Sequence, residues 1–314
     1  MQCFDVFNGD ADGICALVQL RLAEPRKARL ITGVKRDINL LKRIDAGVSD
    51  HLTVLDISMR SNAEDVRRIL RAGACVFYVD HHNPGEIPTH TRLYPVIETR
   101  PDICTSLLVD RCLEGRYADW AIVAAFGDNL ERVGERLAAR TGLGADRAKS
   151  FRELGRLINY NAYGRTLRDL HFHPERLFQA CLEAGSPDAF VHDQADLYGM
   201  LKQGYHDDLA RVRNVREIAP GVLLLDDAAW ARRISGPFGH TLARKNPDRA
   251  HAVLTHHQDG GYTVSVRAPL NRPQGADSLC LGFATGGGRA AAAGINHLPE
   301  GRLKDFLAAF ARLF

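Results

Sequence analysis

Residues Phe7 to Leu17 read FNGDADGICAL: two aspartates, Asp10 and Asp12, stand one residue apart and the motif closes on Gly13. Three further places put an acid or an imidazole just after a strand-like or apolar run. Asp56 ends LTVLDIS, while Asp80, His81 and His82 end VFYVD and open a turn at HHNPG; Asp128 follows WAIVAAFG. Taken singly, an aspartate after a strand is an ordinary helix cap or turn residue. Asp12 could cap a helix starting at Gly13, and Asp128 could end one. Taken as a set at one sheet edge, the carboxylates would repel one another and resist ionisation unless a cation neutralised them. No lysine or arginine lies inside any of these motifs, so the expected partners are metal ions. Carboxylates with a few imidazoles suit Mn²⁺ or Mg²⁺. A bridging carboxylate would hold two ions about 3.5–4 Å apart, the geometry for in-line attack on phosphorus.

The elements that must position these residues are legible as alternation. CFDVF, ARLITGV, LTVLDIS and ACVFYVD read as strands. GICALVQLRLAE, DINLLKRI and SNAEDVRRILRAG between them carry apolar residues at helical spacing, the third opened by a Ser61–Glu64 capping box. Alternating strands and helices predict a parallel sheet with helices on both faces, and ligands in such sheets gather at the carboxyl ends of the strands. From about Cys104 to Arg213 the pattern turns helical, with a long segment from Pro187 onward. After Pro220-Gly221, GVLLLDD, HAVLTHH and YTVSVRA return to strand character, Asp259-Gly260-Gly261 signals a hairpin, and LKDFLAAFARLF closes on a helix. The expectation is an α/β domain over 1–190, a helical connection over 191–215 and a smaller α+β domain over 216–314.

TGGGRAAAAG, Thr285 to Gly294, has its own physics. Gly286, Gly287 and Gly288 let backbone N–H groups approach an anion, RAAAAG reads as a helix start, and Arg267 and Arg289 add charge. A lone GGG would be a flexible loop or a tight turn.

The order DADG, an isolated Asp on a strand, Asp-His-His and a Gly-Asp resembles the DHH phosphoesterases, which include RecJ-type nucleases and oligoribonucleases (nanoRNases). TGGGRAAAAG resembles the GGGHxxAAG substrate loop of the DHHA1 domain that follows them, and SVRAP resembles its strand with a phosphate-binding arginine. The resemblance implies metal ligation by Asp10, Asp12, Asp56, His81 and Asp128, with Asp56 as the bridge. It implies that His82 contacts the scissile phosphate and that Asp80 orients the histidines. Two positions depart from the pattern: Asn8 stands where relatives carry His or Asp, and Arg289 replaces the glycine-loop histidine. A neutral amide is a weaker ligand, whereas arginine still holds a phosphate bidentately. The implied activity is a two-metal phosphodiesterase, using Mn²⁺ with Mg²⁺ or Co²⁺ as substitutes. It would cleave dinucleotides such as pGpG, or short RNA, to 5′-mononucleotides while the C-terminal domain clamps the substrate. Rival readings are a phosphomonoesterase on pAp, a RecJ-like single-strand exonuclease and a nucleotide-binding regulator with a decayed metal site.

Composition narrows the partners. A net charge of +3 is too small for a coat binding long duplexes, and no apolar run approaches the roughly 18 residues of a membrane span. An acidic N-terminus without a basic leader, and seven scattered cysteines with no CxxC, fit reduced thiols in a cytoplasmic protein; a homodimer is left open. The histidines of THH (Thr255–His257) and HFH (His171–His173) read as lying apart from any carboxylate set, and Tyr160, Tyr163, Phe172 and Phe238 read as core rather than base-stacking residues.

Overall fold

The computed structural model describes residues 1–314 apart from the side chain of Asn214, and its contacts divide the chain into Met1–Lys202 and Gln203–Phe314. In the first unit five strands, β1 (Cys3–Phe7), β2 (Arg29–Ile31), β3 (His51–Leu55), β4 (Cys75–Asp80) and β5 (Leu93–Ile97), form a sheet of order β2-β1-β3-β4-β5. Every pairing is parallel. Side chains alternate between the faces of a strand, and that alternation builds two layers. Phe4, Val6, Leu52 and Val54 point into one core with Val66 and Ile69 of α2 (Ala63–Arg71). Asp5 and Thr53 point the other way, toward α1 (Ala11–Ala23). There Arg21 holds both Asp5 oxygens at 2.7 Å and reaches Thr53 Oγ at 3.1 Å. A carboxylate buried in a sheet is tolerable because a fork of donors satisfies it. The same fork ties α1 to β1 and β3, the two strands whose ends carry the aspartates.

The helices α3 (Thr105–Cys112), α4 (Ala118–Gly127), α5 (Glu131–Arg140), α6 (Ala145–Ala162), α7 (Pro174–Ala184) and α8 (Pro187–Asp193) follow; α9 (Ala195–Arg211) runs across the division between units. Helix α4 crosses α6 closely at two glycines. A Cβ on Gly155 would lie 2.1 Å from the Val123 carbonyl oxygen, and one on Gly127 would lie 2.9 Å from the Gly155 carbonyl oxygen. This contact sets the end of α4, and so the place of Asp128. Helix propensity alone favours alanine over glycine by about 1 kcal/mol, but the clash is with backbone. Gly155→Ala is therefore expected to destabilise by about 1–3 kcal/mol, read as a lower denaturant midpoint. A variant as stable as the parent would show that the crossing is looser than described.

The second unit holds a mixed sheet of order β10-β11-β9-β8-β7-β6. Its strands are β6 (Arg216–Ala219), β7 (Val222–Leu224), β8 (His251–His256), β9 (Tyr262–Arg267), β10 (Gly286–Arg289) and β11 (Ala292–Leu298). The expected hairpin joins β8 to β9. Phe306 and Phe310 of α12 (Leu303–Leu313) pack on Leu254, Val264 and Val266. Helices α10 (Ala229–Lys245) and α11 (Ala276–Leu281) complete the unit.

Four local expectations are corrected. DINLLKRI forms only a 3-10 turn at Leu41–Arg43, because Arg68 takes the carbonyls of Leu41 and Ile44 that a helix would use. The Ser61–Glu64 capping box does not form. Asn62 is the N-cap, and its amide donates to Ile38 and Ser58 carbonyls instead. The segment from Pro187 breaks into α8 and α9 at Gln194. RAAAAG starts no helix: Arg289 ends β10, and Ala292 begins β11 beside β9.

Candidate metal and phosphate site

Strand order 2-1-3 means that the chain leaves β1 to one side and later returns on the other. Ligands bind outside the carboxyl ends at such a switch point. Asp10 and Asp12 follow β1, Asp56 follows β3, and His81 and His82 follow β4. Gly13 is required here, since a Cβ would lie 2.2 Å from the Asn8 carbonyl oxygen.

Each side chain is held by its local structure. Asp10 is the N-cap of α1, its Oδ1 accepting from Asp12 N at 3.0 Å and Gly13 N at 3.1 Å; the cap role the sequence offered Asp12 belongs to Asp10. The Asp12 carboxylate instead accepts from the amides of Thr105 and Ser106, each at 2.7 Å, at the start of α3. Asp56 sits at φ +58°, a left-handed conformation uncommon outside glycine, asparagine and aspartate. Strain of this kind concentrates at functional sites. Thr105 Oγ donates to Asp56 Oδ1 at 3.3 Å. His81 Nδ1 lies 2.9 Å from the Ile103 carbonyl, which can only accept, so Nδ1 carries the proton. Nε2 is left facing Asp56 Oδ1 at 3.2 Å and Asp12 Oδ2 at 3.8 Å. This is how a metal-ligating histidine is oriented. His82 Nδ1 bonds Asp80 Oδ1 at 2.7 Å, whereas Asp80 Oδ2 is buried without a hydrogen-bond partner. Asp80 thus holds the His82 ring, and the Ile103 carbonyl holds that of His81. Asp128 is the C-cap of α4. Both ends of the Asn8 amide serve the main chain, accepting from Asp10 N at 3.3 Å and donating to the Lys35 carbonyl at 3.2 Å.

The electrostatics are those of crowded acids. Burial, then repulsion from Asp10 and Asp12, pushes the Asp56 carboxyl well above its ordinary range. Burial also raises Asp12, against the attraction of His81. Burial works to raise Asp10 as well, but the Lys35 ammonium outweighs it and holds the group at about 2. Lys35 corrects the expectation that the aspartates have no basic partner. Its Nζ hydrogen-bonds Asp10 Oδ2, lies 3.3 Å from Asn159 Oδ1 and stands 4.0 Å from Asp128 Oδ1. Its place after β2 becomes a signal only once β2 is known to pair with β1. Lys35 follows β2, whose carboxyl end lies at the same sheet edge as that of β1. A Cβ on Gly9 would lie 2.0 Å from the Gly33 carbonyl, so the two loops are pressed together.

The donor set fits a divalent ion. Among the described residues, donor atoms of Asp56, Asp80, His81 and His82 lie within 4.8 Å of one another, and His81 Nε2 extends the group to Asp12. Two buried carboxyls that resist ionisation call for more positive charge than one ammonium supplies.

In the second unit Arg267 is buried on β9, its guanidinium bonding Ser265 Oγ at 3.0 Å and meeting His240 Nε2 of α10 at 3.1 Å. His240 was not singled out from sequence. The glycine run lies in a strand, and packing explains two of its members. A Cβ on Gly286 would lie 1.7 Å from the Cys280 carbonyl, and Gly288, at φ +142°, would meet Ala293 Cα at 2.4 Å. Gly287 has open space and Arg289 is exposed. His256 and His257 line a cavity of about 360 Å³ with Asp226, Asp227 and Glu300. Tyr160, Phe172 and Phe238 are buried as core residues.

Comparison of the sequence with protein-family models and with curated proteins finds no match. Solved structures do match. A manganese-bound crystal structure of the exonuclease RecJ superposes with TM-score 0.57 at 18% identity, covering 99% of this chain and 89% of that one. The chain has the fold of the DHH/DHHA1 phosphoesterases. RecJ from Thermus thermophilus in complex with Mn²⁺ matches this chain with TM-score 0.64 at 18% identity; 99% of the chain is covered but only 52% of that protein. PggH from Vibrio cholerae, a pGpG-specific phosphodiesterase, matches over 100% of the chain and 99% of its own length, with TM-score 0.55 at 14% identity. At these identities the likeness is one of fold. No helix among the described residues is long and apolar enough to cross a membrane.

Proposed function

We propose that the chain is a divalent-metal-dependent phosphodiesterase that hydrolyses dinucleotides or short oligonucleotides to 5′-mononucleotides. The observation that carries this reading is the meeting of buried Asp10, Asp12, Asp56 and His81 at the switch between β1 and β3. The fold is shared with a manganese-bound exonuclease and a pGpG-specific phosphodiesterase, which supports it. Asp12, Asp56 and His81 would hold Mn²⁺, with Mg²⁺ or Co²⁺ as substitutes, and Asp10 and Asp128 border the same site. When bound, such an ion supplies Lewis acidity to the phosphoryl group and acidifies the attacking water. His82, half-exposed beside these groups, would donate to the scissile phosphate, with the 3′-oxygen leaving. Arg267 and Arg289 would hold the substrate's other phosphate. The second ion that the family resemblance implies would have to share Asp10 with the Lys35 ammonium. The seven free cysteines support a reducing compartment such as the cytoplasm.

Incubating the protein with Mn²⁺ and a panel of pAp, linear and cyclic dinucleotides and longer oligomers tests the reading. With a net charge of only +3 there is little basic track for a long strand. Rates should be highest on dinucleotides and fall steeply beyond roughly five nucleotides. Processive digestion of long single strands would put an exonuclease in its place, and turnover of pAp alone a phosphomonoesterase. Nucleotide binding without turnover would make it a regulator.

A smaller effect is expected at Arg289. A guanidinium gripping a phosphate remote from the chemistry serves ground and transition states alike. Arg289→Ala should then raise KM by roughly 10–150-fold, the loss of a charged hydrogen bond, with kcat nearly unchanged. Arg289→Lys should fall between the two, having lost the fork. An unchanged KM in the alanine variant would remove Arg289 from the substrate site.

A further inference from the structure

The acidic cluster divides into two halves of different character. On one side Asp12, Asp56 and His81 face each other: His81 Nε2 is 3.2 Å from Asp56 and 3.8 Å from Asp12. On the other side the space between Asp10 and Asp128 holds the Lys35 ammonium, bonded to Asp10 and 4.0 Å from Asp128. We infer that Lys35 takes the place of one of two metals, so that this centre works with one divalent ion and one built-in ammonium.

Four observations fix the ammonium there. Lys35 N donates to the Ala162 carbonyl at 2.9 Å, and the Lys35 carbonyl accepts from Asn8 Nδ2 at 3.2 Å, so its backbone is pinned from both sides. Nζ has a second acceptor in Asn159 Oδ1 at 3.3 Å. It also lies 5.7 Å from the centre of the Tyr163 ring, within cation–π range. Finally, both Asp10 oxygens are already engaged, Oδ1 by two backbone amides at the start of α1 and Oδ2 by the ammonium. A second ion would have to displace Lys35 and leave a partly buried ammonium without its acid. Asn8 fits the same division. It is a neutral amide where a charged or imidazole ligand would serve an ion, and its oxygen is turned to the main chain.

In this arrangement Lys35 gives the phosphate a fixed positive neighbour that does not exchange with solvent, and the exchangeable ion is bound by Asp12, Asp56 and His81. The inference rests on the proposed metal-dependent reading, and the test separates the two. The metal-free protein is equilibrated with excess Mn²⁺, freed of unbound ion, and analysed for metal content and by electron paramagnetic resonance. The expected result is about one Mn²⁺ per chain in the wild type, with the hyperfine sextet of an isolated ion. Lys35→Met, which keeps the length and removes the charge, should bind about two, with the broadened multiline spectrum of a coupled pair about 3.5–4 Å apart. Lys35→Arg, which keeps the charge, should stay near one. About two Mn²⁺ in the wild type would overturn the inference and leave the metal-dependent reading standing. No Mn²⁺ in the wild type would overturn both. If Lys35→Met does not fold, the wild-type stoichiometry and spectrum decide the matter alone.

Discussion

Asp56→Asn is expected to lose bound Mn²⁺ and to lower kcat/KM on the best dinucleotide by about 10³-fold or more. The magnitude follows from several kcal/mol of metal-derived stabilisation, each 1.36 kcal/mol being tenfold in rate. The substitution is chosen for its backbone as much as for its charge. Asp56 sits at φ +58°, and asparagine tolerates that region, whereas alanine would add strain of about 1–2 kcal/mol. The asparagine variant should therefore fold. It should also be at least as stable as the metal-free wild type near neutral pH. The reason is that a buried carboxyl raised by burial and by its neighbours stabilises only while protonated. That contribution is present below the ordinary carboxylate pKa of 3.8 and is lost as pH rises through the raised value. Thermal unfolding of both metal-free proteins, beside metal analysis and kinetics, checks the combination. Full activity in the asparagine variant would end the assignment of Asp56 to the metal.

The second large effect belongs to His82. Its bond to Asp80 fixes the ring. Burial works against the charge on His82, but the Asp80 carboxylate outweighs it and raises the imidazole above its ordinary value. Burial likewise opposes ionisation of Asp80, and the bond from His82 overrides it and lowers the carboxyl. The two directions agree on an imidazolium–carboxylate pair. Its contribution to stability is lost below, as pH falls through the lowered Asp80 value, and above, as pH rises through the raised His82 value. A charged donor aimed at the phosphate is worth about 10²–10³ in kcat by analogy with a single oxyanion donor. His82→Ala should lose that much while keeping its Mn²⁺, because Asp12, Asp56 and His81 are untouched. Asp80→Asn should lose less, roughly 10–100-fold, since the ring keeps its acceptor but not its charge partner. Loss of metal in His82→Ala would instead make His82 a ligand.

Which parts of this were legible in the sequence follows from which forces are local. Aspartates at the ends of β1 and β3 announce themselves by type and position, because a strand's carboxyl end can be read from its own residues. Lys35 does not announce itself. Its meaning depends on β2 lying beside β1, a neighbour relation that chain order does not state. The four alanines after Arg289 are the best of helix formers, yet pairing with β9 overrides propensity and makes a hairpin of them. Strand β5 was missed because Pro95 interrupts LYPVI, and proline is tolerated there only because β5 is an edge strand. Helix α10 was missed for a related reason: Gly236-Pro237 lies inside it. The Ile103 carbonyl that holds His81 belongs to a loop whose approach no local pattern encodes.

The donors at the sheet edge come from the ends of β1, β3 and β4, which are distant along the chain and meet only in the finished sheet. A partly unfolded molecule has no such site, so an ion held there would favour the native state alone. At a free concentration 100 times its Kd it would add about 2.7 kcal/mol to the unfolding free energy. For a protein of ordinary marginal stability, that increment governs how often the chain opens to a protease, and with it how much protein a cell retains. The supply of manganese would then set the abundance of this protein as well as its turnover: starved cells would clear the metal-free chain, and replete cells would accumulate it.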